Sequence, residues 1–484
     1  MKTTRRDALR TLTSAPLAAQ SLASAPPNIL FVLSDDHSYP YLGAYGANWM
    51  STPALDRFAA EGLLFERAFQ AAPQCVPSRT AMMTGRSPVA ARMGRFSSPL
   101  PADIRTVPEV LRGRGYHTGV CGRYFHLDGV VNPSPETAQV YDRHSMRTWK
   151  KRIDYLDISG QPATPERLEA FLSQAPQGRP WFFWINYSDP HHVWDAGAGK
   201  VEAAKIKLPP HLPDLPGVRS DLARYCGEVE RADRSFAEAM AILGKHGMAE
   251  NTLVVFMGDN GMAFPHGKGS LYDPGLHVPL IARWPGRIKP GKTDALISGE
   301  DIAATFMDAG GAPPPDGVTG RSFLPLLTGR PYAPREHIFG ARLFHGNGAI
   351  GPDTKASTWD LSRCVRSRRY KLIYNVTPWM EYWPVDSGQD PGWQEILAAH
   401  QAGTLLPAHE RAYFTRPRPV LELYDLEKDP GELENLAGRA DLREVQQNLM
   451  VALLEKQIID HDFIPPVINE AAPRRNAPPP PPRS

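Results

Sequence analysis

The sequence predicts an α/β protein built on a mainly parallel sheet with helices on both faces, followed by a smaller α+β domain. Three observations carry this. Apolar runs such as Ile29-Leu30-Phe31-Val32-Leu33, Trp181-Phe182-Phe183-Trp184-Ile185 and Leu253-Val254-Val255-Phe256-Met257 are short and unbroken, as in strands buried on both faces. Helical patterns with start and stop signals alternate with these runs. After about Pro334 the texture changes to short strand segments and one long helix.

Taken in order, the first strand opens at Asn28. Thr52-Pro53 then starts a helix reaching Glu61, with threonine as its cap and proline where a missing N–H is no loss. Thr106-Val107-Pro108-Glu109 resembles a capping box, and Gly113 or Gly115 stops that helix. His117-Thr118-Gly119-Val120-Cys121 is the next strand. Residues 220–245 carry apolar side chains at helical spacing, ending near Gly247. Val278-Pro279-Leu280-Ile281-Ala282 and a helix over 301–309 complete the larger domain, assigned to 26–334. In the smaller domain, 335–468, residues 363–375 read as two strands around basic side chains and Leu421-Glu422-Leu423-Tyr424-Asp425 as a third. A turn at Lys428-Asp429-Pro430-Gly431-Glu432 precedes a helix over 441–460. Between Trp379 and Tyr413 no pattern assigns a structure.

Bulk properties narrow the function. A net charge of +2 makes no case for a nucleic-acid partner. Four cysteines in 484 residues are too few for a disulfide framework. No later run approaches the roughly 20 apolar residues of a membrane span. Residues 1–25 read as an export signal: Arg5-Arg6 precede an apolar stretch that ends in Ala23-Ser24-Ala25, which predicts twin-arginine export to a periplasm. Residues 469–484, mostly proline, are expected to form an unpacked extended tail.

The chemistry concentrates at Cys75-Val76-Pro77-Ser78-Arg79, followed by Thr84-Gly85. Pro77 fits the first turn of a helix, which puts Cys75 at the N-terminus, where unpaired N–H groups and the dipole favour an anionic centre. Arg79 lies one turn on and can share that site. By spacing alone this is either a pocket for a tetrahedral oxyanion or a buried thiol at a helix start. The first strand ends at Asp35-Asp36 and a later one at Asp259-Asn260, where open parallel sheets bind their ligands. Three carboxylates and an amide oxygen suit a hard divalent cation, although such residues also form turns after strands.

The Cys-x-Pro-Ser-Arg pentapeptide with its downstream Thr-Gly resembles the sulfatase family. That resemblance implies an alkaline-phosphatase-like fold, oxidation of Cys75 to formylglycine by a maturation enzyme, and one Ca²⁺ held by Asp35, Asp36, position 75, Asp259 and Asn260. Gly122-Arg123-Tyr124-Phe125-His126 is similar to the family's Gly-Lys-x-x-His element, with Arg123 in place of the lysine that contacts sulfate and His126 as the histidine that bonds formylglycine. Asp189-Pro190-His191-His192 resembles its Asp-Pro-His element, which assigns His191, or else His192, to the leaving group. Lys268 in Gly267-Lys268-Gly269-Ser270-Leu271-Tyr272 resembles the family's second sulfate-contacting lysine, set among glycines that permit close backbone approach.

Within the family, residues 259–272, 366–375 and 423–436 are similar to the heparan N-sulfatase (sulfamidase) branch, implying a sulfated glycan substrate such as N-sulfoglucosamine or an O-sulfated sugar. Two alternatives stand beside it: a phosphonate monoester or phosphodiester hydrolase of the same superfamily, and a non-catalytic protein that binds sulfated glycans. The oligomeric state is not legible.

Overall fold

The computed structural model describes residues 26–468 except 95, 97, 131, 159–164, 196–199, 347–350 and 352. The expected export signal at 1–25 and tail at 469–484 lie outside the described residues.

Eight strands form the main sheet in the order Tyr155–Leu156, His117–Cys121, Trp181–Asn186, Asn28–Ser34, Thr252–Gly258, Leu280–Arg283, Leu63–Phe65, Gly291–Thr293. Neighbours run parallel, except that Leu280–Arg283 is antiparallel to both of its own. A parallel return needs a long crossover, usually a full helix. The chain between Gly258 and Leu280 holds only the one-turn helix Asp273–Leu276, so the strand comes back antiparallel.

Side-chain alternation divides each central strand between two cores. Leu30, Val32, Phe183, Ile185, Val254 and Phe256 face helices Pro53–Glu61, Pro165–Gln174 and Pro216–Lys245. Ile29, Phe31, Phe182, Trp184, Leu253 and Val255 face helices Cys75–Thr84, Val107–Arg112 and Gly299–Ala309. All twelve strand residues are at most 1% exposed, which is why these runs contain no polar residue to mark an outer face.

Two caps behave differently. Thr106 and Glu109 form the expected capping box. Thr52 does not cap its helix: its hydroxyl accepts the Gly43 N–H (2.9 Å) and donates to Asp56 (3.0 Å). Asp233, from the long helix, takes the N–H groups of Ala54 (3.2 Å) and Leu55 (2.7 Å) instead. A carboxylate is the stronger partner for a helix N-terminus, and tertiary packing delivers it.

Strands Ile338–Phe344, Trp359–Arg366, Tyr370–Asn375 and Leu421–Asp425 form a second, antiparallel sheet. Helix Arg443–Ile459 packs Leu449 and Leu453 on Val365, Leu372 and Leu423 of one face. The other face meets Phe69, Leu271 and Leu276 of the main body. The unassigned stretch between Trp379 and Tyr413 contains helices Pro391–Gln401 and Pro407–Phe414, whose Trp393, Ile396 and Tyr413 join the larger core.

Candidate active site

Strand register builds the site. Ser34 pairs with Gly258 and Leu33 with Asn186, so three adjacent strands end at one level. Backbone bonds continue past the sheet: Asp35 N–H donates to the Asp189 carbonyl (3.1 Å) and Asp259 N–H to the Ser34 carbonyl (3.0 Å). Asp35-Asp36, Asp259-Asn260 and the loop carrying His191 therefore emerge side by side.

Cys75 arrives as the first residue of helix Cys75–Thr84, which ends in the left-handed Gly85 (φ 68°). Its Sγ lies 3.3 Å from Asp35 Oδ1 and 3.8 Å from Asp36 Oδ1. Burial, then the Asp35 charge, push the thiol well above its ordinary pKa. The helix terminus does not make Cys75 an anionic centre, because carboxylates face it at closer range. A thiol held protonated is a poor nucleophile.

Arg79 is fully buried and turned inward. Its Nε donates to Asp259 Oδ2 (2.8 Å), one terminal nitrogen lies 3.3 Å from Asp35 Oδ2, and the other bonds Asn186 Oδ1. Asn186 in turn donates to the Cys121 carbonyl (3.0 Å). Arg79 thus braces the carboxylates from beneath instead of facing an incoming anion. Arg123 reaches Asp35 Oδ2 with its Nε at 2.5 Å and keeps its side chain 18% exposed, on the open side. Burial raises the Asp35 carboxyl, but Arg123 and Arg79 outweigh it and hold it well below the usual range.

Lys268 is buried. Its ammonium lies 2.9 Å from Asp36 Oδ2, 2.7 Å from Asp386 Oδ2 and 3.1 Å from His191 Nε2. The glycines beside it serve protein packing: a Cβ on Gly269 (φ +77°) would meet Val385 at 2.2 Å, and one on Gly267 the Met262 carbonyl at 2.1 Å. His191 donates from Nδ1 to the His192 carbonyl and turns Nε2 to Lys268. Burial and then Lys268 lower its pKa. His192 instead points away, to Asp390 (2.8 Å). The Asp189 carboxylate that begins this loop is gripped twice by Arg231, at 2.7 and 2.8 Å. His126 is buried near Phe96 and Phe125, and burial followed by Arg79 lowers its pKa well below the ordinary value. It borders a cavity of about 280 Å³ with Val76, Phe96, Phe125 and Asn132.

The donor set fits a hard cation. Ligand atoms of Asp35, Asp36, Cys75 and His191 lie within 4.8 Å of one another. Asp259 Oδ1 accepts the Asp36 N–H (2.8 Å), and burial plus the Asp35 charge raise its pKa. Asn260 gives its amide to Asp36 Oδ1 (2.8 Å) while its own Oδ1 is buried with no hydrogen-bond partner among the described residues. Three carboxylates packed together, with Asp259 pushed toward protonation, beside an orphaned amide oxygen are what a divalent ion would satisfy.

Sequence reasoning missed Asn186, Asp386 and His345. Asn186 carried a signal, as the polar residue that ends an apolar strand. Asp386 and His345 carried none, because they lie in segments that follow strands of the second sheet, far from Lys268 along the chain.

Residues 27–312 match the sulfatase family, and residues 264–406 match the family described as N-sulphoglucosamine sulphohydrolase, C-terminal. The chain is 29% identical over 444 residues to an ulvan-active sulfatase of Formosa agariphila, covering 90% of this chain and 80% of that one. It is 27% identical to human N-sulphoglucosamine sulphohydrolase (90% and 91% covered) and 30% identical to human arylsulfatase A (87% and 85% covered). Among solved structures it is similar to a protein in complex with its substrate D-glucosamine-2-N,6-O-disulfate, with TM-score 0.66, 20% identity, and 92% and 100% of the two chains covered. A phosphonate monoester hydrolase from Silicibacter pomeroyi scores 0.67 at 20% identity, covering 90% and 96%. These two likenesses bear on the fold, which is the alkaline-phosphatase-like one expected.

Proposed function

Since this chain belongs to the sulfatase family, we propose that it hydrolyses sulfate esters or sulfamates of sulfated glycans through a formylglycine hydrate at position 75. The convergence of position 75, four oxygen-donor residues and Lys268 in one buried cluster carries this reading. The high pKa of the Cys75 thiol supports an oxygen nucleophile there in place of sulfur.

Asp35, Asp36, Asp259 and Asn260 would hold a Ca²⁺ ion, which when bound supplies positive charge to the sulfate oxygens. Lys268 and Arg123 bind the same oxygens, Lys268 as a compact ammonium and Arg123 as a planar fork. Arg79 and Asn186 keep the carboxylates in place. One hydroxyl oxygen of the hydrate attacks sulfur and gives its proton to the adjoining carboxylate cluster, where the position-75 side chain faces Asp35 Oδ1, as the bond from sulfur to the leaving oxygen or nitrogen breaks. His191 Nε2 takes up a proton from solvent or from the Lys268 ammonium it faces once an anionic substrate sits beside it, and passes that proton to the leaving atom. The second hydroxyl of the hydrate then gives its proton to His126, which burial keeps neutral and able to accept it. Its oxygen re-forms the carbonyl as the carbon–oxygen bond to sulfate breaks, and water rehydrates the aldehyde.

The similarity to N-sulphoglucosamine sulphohydrolase across residues 264–406 supports an N-sulfated or O-sulfated sugar as substrate. We further propose export through the Arg5-Arg6 signal and maturation of Cys75 by a formylglycine-generating enzyme. The deciding experiment measures sulfate release from glucosamine N-sulfate and glucosamine 6-O-sulfate by matured protein, with Cys75→Ala as control. Release lost in the control supports the reading. Phosphate release from matched phosphodiesters without sulfate release would sink it, and ligand binding by matured protein without turnover would favour a binding role.

A further inference from the structure

A site that recruits a sulfate anion should keep other anions away from its mouth. Asp386 breaks that rule. Its Oδ2 lies 2.7 Å from Lys268 Nζ, whose opposite contact is Asp36 Oδ2 at 2.9 Å, one ammonium away from the carboxylates beside Cys75. The Lys268 side chain is 1% exposed, whereas that of Asp386 is 27% exposed, so this carboxylate lies on the solvent side of the lysine. Burial raises its pKa, but Lys268 and then His345 outweigh that and hold it ionised.

The placement is built, not incidental. Asp386 has φ 66°, a left-handed backbone that an ordinary residue adopts only when its surroundings impose it. Its neighbour Val385 packs on Gly269, where any side chain would collide. On the other side, Gln74 donates its amide to His345 Nδ1 (3.1 Å), which fixes the proton on Nε2 and turns that N–H to Asp386 Oδ1 at 3.4 Å. Phe96 meets the imidazole edge-on at 4.7 Å. Gln74 directly precedes Cys75, so the arrangement is tied to the reacting position from two directions. With one long hydrogen bond on Oδ1, the carboxylate keeps acceptor capacity facing solvent.

We propose that Asp386, oriented by His345, reads the leaving group: its carboxylate accepts hydrogen bonds from hydroxyl or ammonium groups of the departing sugar. The anionic half of the substrate is drawn to Lys268 and Arg123, and the donor-rich half to Asp386. A leaving group without donors leaves the solvent-facing acceptor capacity of that carboxylate unmet while displacing its water, which is how polar sites reject such analogues. Asp386 is then a specificity-determining residue and His345 a positioning residue. The inference rests on the sulfated-sugar reading above.

Product inhibition separates the two halves. Steady-state hydrolysis of glucosamine N-sulfate and glucosamine 6-O-sulfate is inhibited with glucosamine and, separately, with inorganic sulfate, in wild type, Asp386→Asn and His345→Asn. The expected result is a rise of roughly tenfold in the Ki of glucosamine, the cost of leaving one polar group poorly paired, with the Ki of sulfate the same or lower because a negative charge has gone. His345→Asn shows the same pattern to a smaller degree, and it carries the test if Asp386→Asn fails to fold. If both Ki values rise together, Asp386 merely positions Lys268 and the inference is overturned. If wild type releases sulfate from neither sugar, the sulfated-sugar reading falls and this inference falls with it.

Discussion

Lys268→Met replaces a buried ammonium with an apolar chain of similar length and strands the two carboxylates it holds. Asp36 keeps the Asn260 amide at 2.8 Å, but among the described residues Asp386 keeps only His345 at 3.4 Å. Breaking a buried pair by removing one partner costs about 3–5 kcal/mol, and the burial of Lys268 places this pair in that class. The loss should depend on pH. In wild type the Asp386 pKa is depressed by Lys268, so its contribution is fully present above the unfolded carboxylate range and fades only as pH falls below it. Without the lysine, burial raises the Asp386 pKa, so the variant binds a proton that the unfolded chain does not, and its stability falls as pH rises. The gap between the two proteins is therefore largest near neutrality and shrinks toward pH about 4. Chemical denaturation with a chelator present, at about pH 4.5 and about pH 7.5, checks this. Activity falls about 10²–10³-fold as well, the usual cost of losing an oxyanion-stabilising donor. A difference below about 1 kcal/mol at both pH values would refute the view of Lys268 as the paired buried cation of this site.

Three further outcomes follow from the same geometry. Mass spectrometry of the peptide containing position 75 should show formylglycine in active protein and cysteine in inactive protein; a fully active sample carrying only thiol removes the proposed nucleophile. Chelation should abolish sulfate release and Ca²⁺ restore it, with a thermal stabilisation of about 2.7 kcal/mol at a hundredfold excess over Kd, and Asn260→Leu should weaken that stabilisation because it deletes the orphaned oxygen. Arg231→Met should free the loop carrying His191, lowering kcat about tenfold with little change in KM, since Arg231 bonds Asp189, Asp195 and Glu228 at the base of that loop; an unchanged kcat means that the remaining bonds, such as Asp35 N–H to the Asp189 carbonyl and Trp194 Nε1 to the Pro190 carbonyl, suffice to hold the loop.

Much of the fold was legible because its signals are local. Strand runs such as residues 29–33 and 253–257, the Thr106–Glu109 capping box and the helix that begins at Cys75 appear where the sequence predicts them. Burial on both faces leaves its mark in each strand's own composition, and a capping box lies within four residues. The two acidic pairs were legible for the same reason, since each directly follows a strand.

What the sequence by itself determined, then, is a set of candidate residues and the sheet edge at which they meet. Tertiary structure alone decided which way they point. It turned Arg79 inward onto Asp259 and Asn186, aimed His191 at Lys268 and His192 at Asp390, and replaced the Thr52 cap with Asp233 from another helix. It also brought Asp386 to Lys268 from more than a hundred positions along the chain, and His345 to Asp386. Spacing along a chain fixes distance only within one helix or strand. Orientation and long-range approach depend on which groups can satisfy a buried charge, and that is settled only when every element has packed.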